Sequence, residues 1–264
     1  MNTHDRFAIV IPAYNEARTI AGLARRCLAL CPNLIIVDDA STDGTAAELA
    51  GLPVTVLRNH RNRGKGASLR RGIRHACGLG VRAIITLDGD GQHRPEDIPR
   101  LVAAHLDHPT ALVIAARLRQ REAAPALRRF ANSQADFWIS WAAGRAIRDT
   151  QSGFRLYPAR VFRKRAPAGE GFVFESELLI EASRRGVPIV DIPIDTVYHA
   201  QLRASHYRPT LDTLRIVKMV AGKLLGRGLY PYGLYRSLTG SFDRAADGSG
   251  RQQGGGADPS TRLS

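Results

Sequence analysis

The sequence predicts an α/β fold, a mainly parallel sheet with helices on both faces. Three observations predict it. Short apolar runs alternate with polar loops and helical patterns four times in the first hundred residues. The runs are continuously apolar rather than alternating, as strands covered on both faces require. The loops that follow them hold acids, glycines and N-capping residues, and right-handed crossovers bring such loops to one edge, where open α/β sheets bind ligands.

Phe7–Ile11 is the first run, ended by Pro12, and Ala13-Tyr14-Asn15-Glu16 leads into a helical pattern through Leu30. Leu34–Val37 is the second, closed by Asp38-Asp39-Ala40-Ser41-Thr42-Asp43-Gly44-Thr45 and a helix over 46–50. Val54–Leu57 is the third, and its loop, Arg58–Gly66, opens a helix through Cys77. Ala83–Leu87 is the fourth. Pro95–Leu106 reads as a helix with proline in its first turn, and Leu112–Ala115 as a fifth strand with Arg117 at its end. The aromatic stripe of Ala126–Ala143 suits packing against the sheet. A short strand follows at Leu156-Tyr157-Pro158, then a helix over 172–185, then a strand over 187–194 that Pro188 and Pro193 assign to an edge. Beyond a basic loop at 197–208 come an amphipathic basic helix over 211–225 and a tyrosine-bearing segment over 228–238. The glycine-rich stretch over 240–264 is expected to be disordered. The expected organisation is an α/β domain over 1–210, a basic and aromatic segment over 211–239, and a tail.

The 264 residues are enough to bury a substantial core, and the formal net charge is +14. All but four of the 38 basic side chains are arginine, the residue suited to bidentate contact with phosphate and carboxylate. Such a balance fits nucleic acid, an anionic membrane surface or phosphorylated small molecules. Nucleic acid is disfavoured, because acids stand at three strand ends and no aromatics interleave with the basic runs as a stacking platform. Cys27, Cys31 and Cys77 suggest neither a disulfide framework nor a zinc site, so a reducing, cytoplasmic compartment is expected. No secretory signal and no apolar run long enough to span a bilayer is expected to operate.

The chemistry concentrates in Asp88-Gly89-Asp90-Gly91-Gln92-His93, at the C-terminal end of the fourth run. Two carboxylates with glycines between them leave room for a phosphate and can share one hard cation. An EF-hand is excluded, since the sixth and twelfth loop positions from Asp88 hold His93 and Pro99 instead of Gly and Glu. A phosphatase of the haloacid dehalogenase type has Thr or Val where Gln92 stands and carries its acids on the first strand. A structural turn, its Asp side chains bonding their own backbone, is the remaining alternative. Gly64-Lys65 is followed by Gly66, not Ser or Thr, so it is no P-loop, and the first βα turn has no dinucleotide-binding glycines.

Five motifs in order decide between these: Ile11–Glu16, Val37–Thr45, Asn62–Gly66, Asp88–His93 and Asp149–Arg155. The chain resembles the family 2 inverting glycosyltransferases of the GT-A fold, within them the dolichol-phosphate mannose synthase and polyprenyl-phosphate sugar transferase group, over roughly residues 7–210. The resemblance implies that Pro12, Tyr14, Glu16, Val37 and Asp39 hold the base and ribose of a UDP- or GDP-sugar, with Lys65 in the donor site. It implies that Asp88, Asp90 and Gln92 serve the ribose and a Mg²⁺ or Mn²⁺ ion, and that Arg117 contacts phosphate. Catalysis would then be electrostatic, acting on the departing nucleoside diphosphate. A hydroxyl acceptor would need a base, for which Asp149, Glu175 and Glu177 are candidates; a polyprenyl phosphate would not. Ser205-His206 stands where that group commonly has Ser-Lys, and Arg203, His206 and Arg208 are expected to close over the diphosphate. The C-terminal segment is expected to give peripheral contact with the inner face of a membrane.

Overall fold

The computed structural model describes residues 7–118, 126–162, 171, 173–195 and 209–240, leaving aside the side chains at 127, 128 and 209–214; Arg203, His206, Arg208 and the expected tail lie outside them. Seven strands form one sheet: β1 Phe7–Ala13, β2 Leu34–Asp38, β3 Thr55–Arg58, β4 Ala83–Thr86, β5 Leu112–Ala116, β6 Arg155–Pro158 and β7 Ile189–Pro193, ordered β3-β2-β1-β4-β6-β5-β7. The β3-β2-β1-β4 half is parallel throughout, with Ala13 opposite Asp38 and Asp38 opposite Arg58, so its loops leave from one edge. β6 runs antiparallel between β4 and β5, and β5 pairs parallel with β7, which ends the sheet as its prolines predict. The inserted β6 has a consequence for the site: it starts where β4 and β5 finish, placing residues 149–154 on the edge that carries Asp88 and Arg117.

Helices α1 Ile20–Leu28, α2 Lys65–Gly78, α3 Ile98–Asp107, α4 Ala126–Ala143 and α5 Val173–Arg184 cover the sheet. Successive strand side chains point to opposite faces, which splits the core in two. Ile9, Ile11, Ile36 and Ile85 meet α1 and α3 through Ile20, Leu23, Leu101 and Ala104. Ala8, Val10, Ile35 and Ile84 meet α2, α4 and α5 through Leu69, Ile73, Ile139, Phe174 and Leu178. The helix expected over 46–50 is a single 3-10 turn, Ala47–Leu49, because Ala50 is already extended and Gly51, at φ +78°, and Pro53 stop it.

Two further helices, α6 Pro209–Leu225 and α7 Pro231–Thr239, both pack on α4, and α6 also packs on α5. Val220 and Leu224 enter the second core, Trp141 Nε1 donates to the Tyr230 carbonyl at 3.1 Å, and Lys223 Nζ lies 3.1 Å from Glu177 and 2.7 Å from Glu181. α4 serves two surroundings: Ile139, Ala142 and Ala143 are buried, while Phe130 and Trp138 are exposed. Among the described residues no helix is long and apolar enough to cross a membrane.

Candidate functional site

The loops after β1 and β2 are laced together. Asn15 and Glu16 donate backbone N–H to Ser41 Oγ (2.9 Å) and Thr45 Oγ1 (2.8 Å), and Asn15 Oδ1 accepts from the Thr42 N–H. Asn15 and Ala40 both occupy the left-handed region, φ +56° and +63°, a cost that the surrounding bonds offset. Pro12 and Val37 are buried beneath this lacing, with Tyr14 and Glu16 half-buried above it. The buried Asp39 carboxylate accepts Asn59 Nδ2 at 2.6 Å and the N–H groups of Arg63 (2.9 Å) and Gly64 (2.7 Å). Its first task is therefore to hang the loop after β3.

That loop delivers Lys65 at the start of α2. Gly66 permits the approach, since a β-carbon there would sit 2.7 Å from the Gly171 carbonyl and 2.8 Å from Phe174 Cβ. Lys65 Nζ lies 2.7 Å from Asp88 and 2.8 Å from Glu175. Burial works against the ammonium, but the two carboxylates outweigh it and raise its pKa. Burial likewise opposes ionisation of Asp88, yet the surrounding charges, Lys65 foremost, hold its pKa low. Asp90, further from the ammonium, is different: burial and the Asp88 charge push its carboxyl up to about 6. Its Oδ1 accepts the Gln92 N–H at 3.0 Å. His93 is buried against Phe154, and burial brings its pKa down to about 4, so the ring is neutral.

A second ion pair faces this one. Arg117 at the end of β5 grips Asp149: its backbone N–H and Nε reach Oδ2 at 2.8 and 2.9 Å, and Nη2 reaches Oδ1 at 2.8 Å. Asp149 sits at φ +46°, held there by Asp136, which accepts the N–H groups of Asp149 (3.2 Å) and Thr150 (2.9 Å) and the Thr150 hydroxyl (2.7 Å). Gly153 then meets Asp88 directly. A β-carbon at Gly153 would lie 2.7–2.9 Å from the Asp88 carboxylate. Gly153→Ala is therefore expected to turn Asp88 away from Lys65, leaving the ammonium to Glu175 alone, and to lower Tm by several degrees, measured by calorimetry.

The structure thus brings Lys65, Asp88, Asp90, Arg117, Asp149 and Glu175 to one edge, with the half-buried Gln92 beside Asp90. Glu177 does not join them; one position past Ser176 on α5, it is directed to Lys223. Asp136 organises the site without having been singled out in the sequence, and Gly153 and Arg155, inside the Asp149–Arg155 motif, do so without having been assigned a role. Their signals are weak: a lone acid on an arginine-rich aromatic helix, and a glycine and arginine in a loop already chosen for Asp149. Among the described residues no group of three or more His, Cys, Asp or Glu side chains is arranged to hold a metal by itself.

A family model described as glycosyl transferase family 2 matches residues 8–166. Polyprenol monophosphomannose synthase of Mycolicibacterium smegmatis is 30% identical, the alignment covering 72% of this chain and 76% of that protein. Undecaprenyl-phosphate mannosyltransferase of Micrococcus luteus is also 30% identical, over 73% of this chain and 84% of that one. Among solved structures, glucosyl-3-phosphoglycerate synthase from Mycobacterium tuberculosis, in complex with Mn²⁺, UDP-glucose and phosphoglyceric acid, superposes with a TM-score of 0.63 at 23% identity, covering 84% of this chain and 79% of that one. The likeness to that structure is one of fold.

Proposed function

Because the chain belongs to glycosyl transferase family 2, we propose that it transfers a sugar, with inversion, from a UDP- or GDP-sugar to the phosphate of a polyprenyl phosphate. The acceptor assignment rests on one observation: each candidate base lies within ion-pairing distance of a cation. Asp149 gives both oxygens to Arg117, Glu175 shares Lys65 through Oε2 while its Oε1 is buried with no hydrogen-bond partner among the described residues, and Glu177 faces Lys223. A hydroxyl acceptor must surrender its proton to such a group. A phosphate monoester, with a second pKa of about 6, arrives as an anion and needs no base.

In this reading Pro12, Tyr14, Glu16, Val37 and Asp39 hold the base and ribose, and Lys65 and Arg117 supply fixed positive charge toward the diphosphate. The donor set fits a hard divalent cation: carboxylates of Asp90 and Asp88, the amide oxygen of Gln92, and phosphate oxygens of the substrate, the mixture that Mg²⁺ commonly takes. The crowding that raises the Asp90 pKa is what such a cation would relieve. When bound, the ion would supply Lewis-acid stabilisation of the leaving diphosphate. Arg117 is oriented for the same charge by Asp149, a pre-organised contribution that needs no rearrangement. Arg203 and His206 remain proposed donor contacts outside the described residues.

UDP or GDP with Mn²⁺ should raise Tm by several degrees, and EDTA should remove the shift. Mass spectrometry should then find the preferred sugar on a short-chain polyprenyl phosphate. Stabilisation by oligonucleotides alone, or transfer only to hydroxyl acceptors, would overturn the reading.

A lipid-borne acceptor calls for a membrane contact, and the two C-terminal helices fit one. Leu225, Leu229, Tyr232, Tyr235 and Leu238 are exposed, and the chain between Asp212 and Asp243 holds five cations and no acid. Three free thiols suit the cytoplasmic face. Flotation with vesicles containing phosphatidylglycerol should carry the protein at low salt, and Tyr232→Ser with Leu238→Ser should cut the bound fraction severalfold. Wild-type protein left at the bottom of the gradient would refute the contact.

A further inference from the structure

Arg155 is fully buried, yet among the described residues no carboxylate lies within ion-pairing distance of it. Its guanidinium is solvated by main-chain oxygens instead. Nε donates to the Ser152 carbonyl at 2.7 Å, Nη2 to the Thr150 carbonyl at 2.7 Å, and Nη1 to the Glu175 carbonyl at 2.9 Å and the Tyr157 hydroxyl at 3.3 Å. Removing a cation from water costs several kcal/mol unless its donors are satisfied. The guanidinium is therefore stable only while these carbonyls stay in place, and they belong to two separate segments.

Those segments carry the two halves of the site. Thr150 and Ser152 lie within the loop from Asp149, which orients Arg117, to Gly153, which abuts the Asp88 carboxylate. Glu175 belongs to the first turn of α5, and its side chain holds Lys65, which holds Asp88. The contacts close into a ring: Asp88, Lys65, Glu175, Arg155, the 150–153 loop, and Asp88 again. A planar fork with its donors in fixed directions can span the two segments, whereas a single ammonium cannot.

We propose that Arg155 is a positioning residue that sets the separation between the Lys65–Asp88–Glu175 group and the Arg117–Asp149 pair. It touches no substrate. It holds the two cations at one spacing, on which stabilisation of a diphosphate leaving group depends, since small misplacements of catalytic groups cost large factors in rate. The role in catalysis rests on the transferase reading above; the mechanical link between the segments does not.

Arg155→Lys tests both. By hydrogen exchange of the unliganded full chain, amides at 64–66, 150–154 and 174–176 should lose protection together while α1 stays as in wild type. In turnover with the donor and polyprenyl phosphate found for the wild type, kcat should fall 10- to 100-fold while the dissociation constant for UDP with Mn²⁺ changes less than threefold. A purely structural role would lower Tm and leave kcat per folded molecule unchanged. Loss of protection in only one segment overturns the link, and equal kcat overturns the positioning role. A wild-type protein that turns over no nucleotide sugar would refute the transferase reading, and the exchange experiment would still decide the link. If Arg155→Lys does not fold, Tyr157→Phe, which removes one of the four acceptors, should give the same pattern in smaller measure; unchanged exchange and unchanged kcat in that variant overturn the proposal.

Discussion

Asp90→Asn should abolish divalent-cation-dependent binding of the nucleotide sugar and lower transfer about 10³-fold, the rate equivalent of losing about 4 kcal/mol of leaving-group stabilisation. Asparagine keeps the shape and an acceptor for the Gln92 N–H, so the loop should stay closed. It removes the charge that a hard cation requires. The fold should not suffer, because Asp90 is the acid of the cluster whose ionised form is least favoured, its pKa raised to about 6 by burial and by Asp88. Removing that charge relieves repulsion rather than breaking a pair. Calorimetric titration of UDP with and without Mn²⁺, beside steady-state kinetics, checks both halves. Metal-dependent turnover retained in the variant would show that Asp90 is not the ligand.

Lys65→Met should be the most destabilising change in the site. It leaves Asp88 and Glu175 facing each other without their shared ammonium, carried on a side chain that is only 17% exposed. Removing one partner of a buried pair typically costs about 3–5 kcal/mol, which in a chain of this size lowers Tm by roughly 10 °C. A companion change separates charge from packing. Glu175→Gln in the Lys65→Met background removes one of the stranded carboxylates and should recover part of the lost Tm, a coupling that a double-mutant cycle measures directly. Additive losses would mean that the ammonium matters through its packing alone. Donor affinity should not recover in the double variant, since the positive charge proposed to face the diphosphate is still missing.

Much of this architecture is written in local pattern. The apolar runs mark the seven strands of the described residues, six of them buried as uninterrupted hydrophobic stretches predict; β3, at the edge opposite β7, is largely exposed. Pro188 and Pro193 locate β7 at the edge because proline has no N–H for a ladder. The acids after β2 and β4, Lys65 in its glycine loop, Arg117 at a strand end and Asp149 in its polar interruption are all legible as chemistry. Shorter or context-dependent features are not. The 46–50 stretch has a helical composition, and Gly51 ends it after one turn.

The sequence by itself determined the α/β class, the family and the roster of charged groups, since each depends on residue type and spacing within a few positions. Only the tertiary structure decided how those groups are paired. Nothing in the local pattern of β6 says that it runs antiparallel between β4 and β5, and that insertion brings Gly153 against Asp88 and Arg155 between two loops. Likewise Asp149, Glu175 and Glu177 are equivalent as bases on paper. In the folded chain Arg117, 32 positions away, takes both oxygens of Asp149, and Lys65, on another helix, takes one oxygen of Glu175. Ion pairing falls off with distance in space, not along the chain. How each candidate proton acceptor is paired is therefore a property of the folded edge alone.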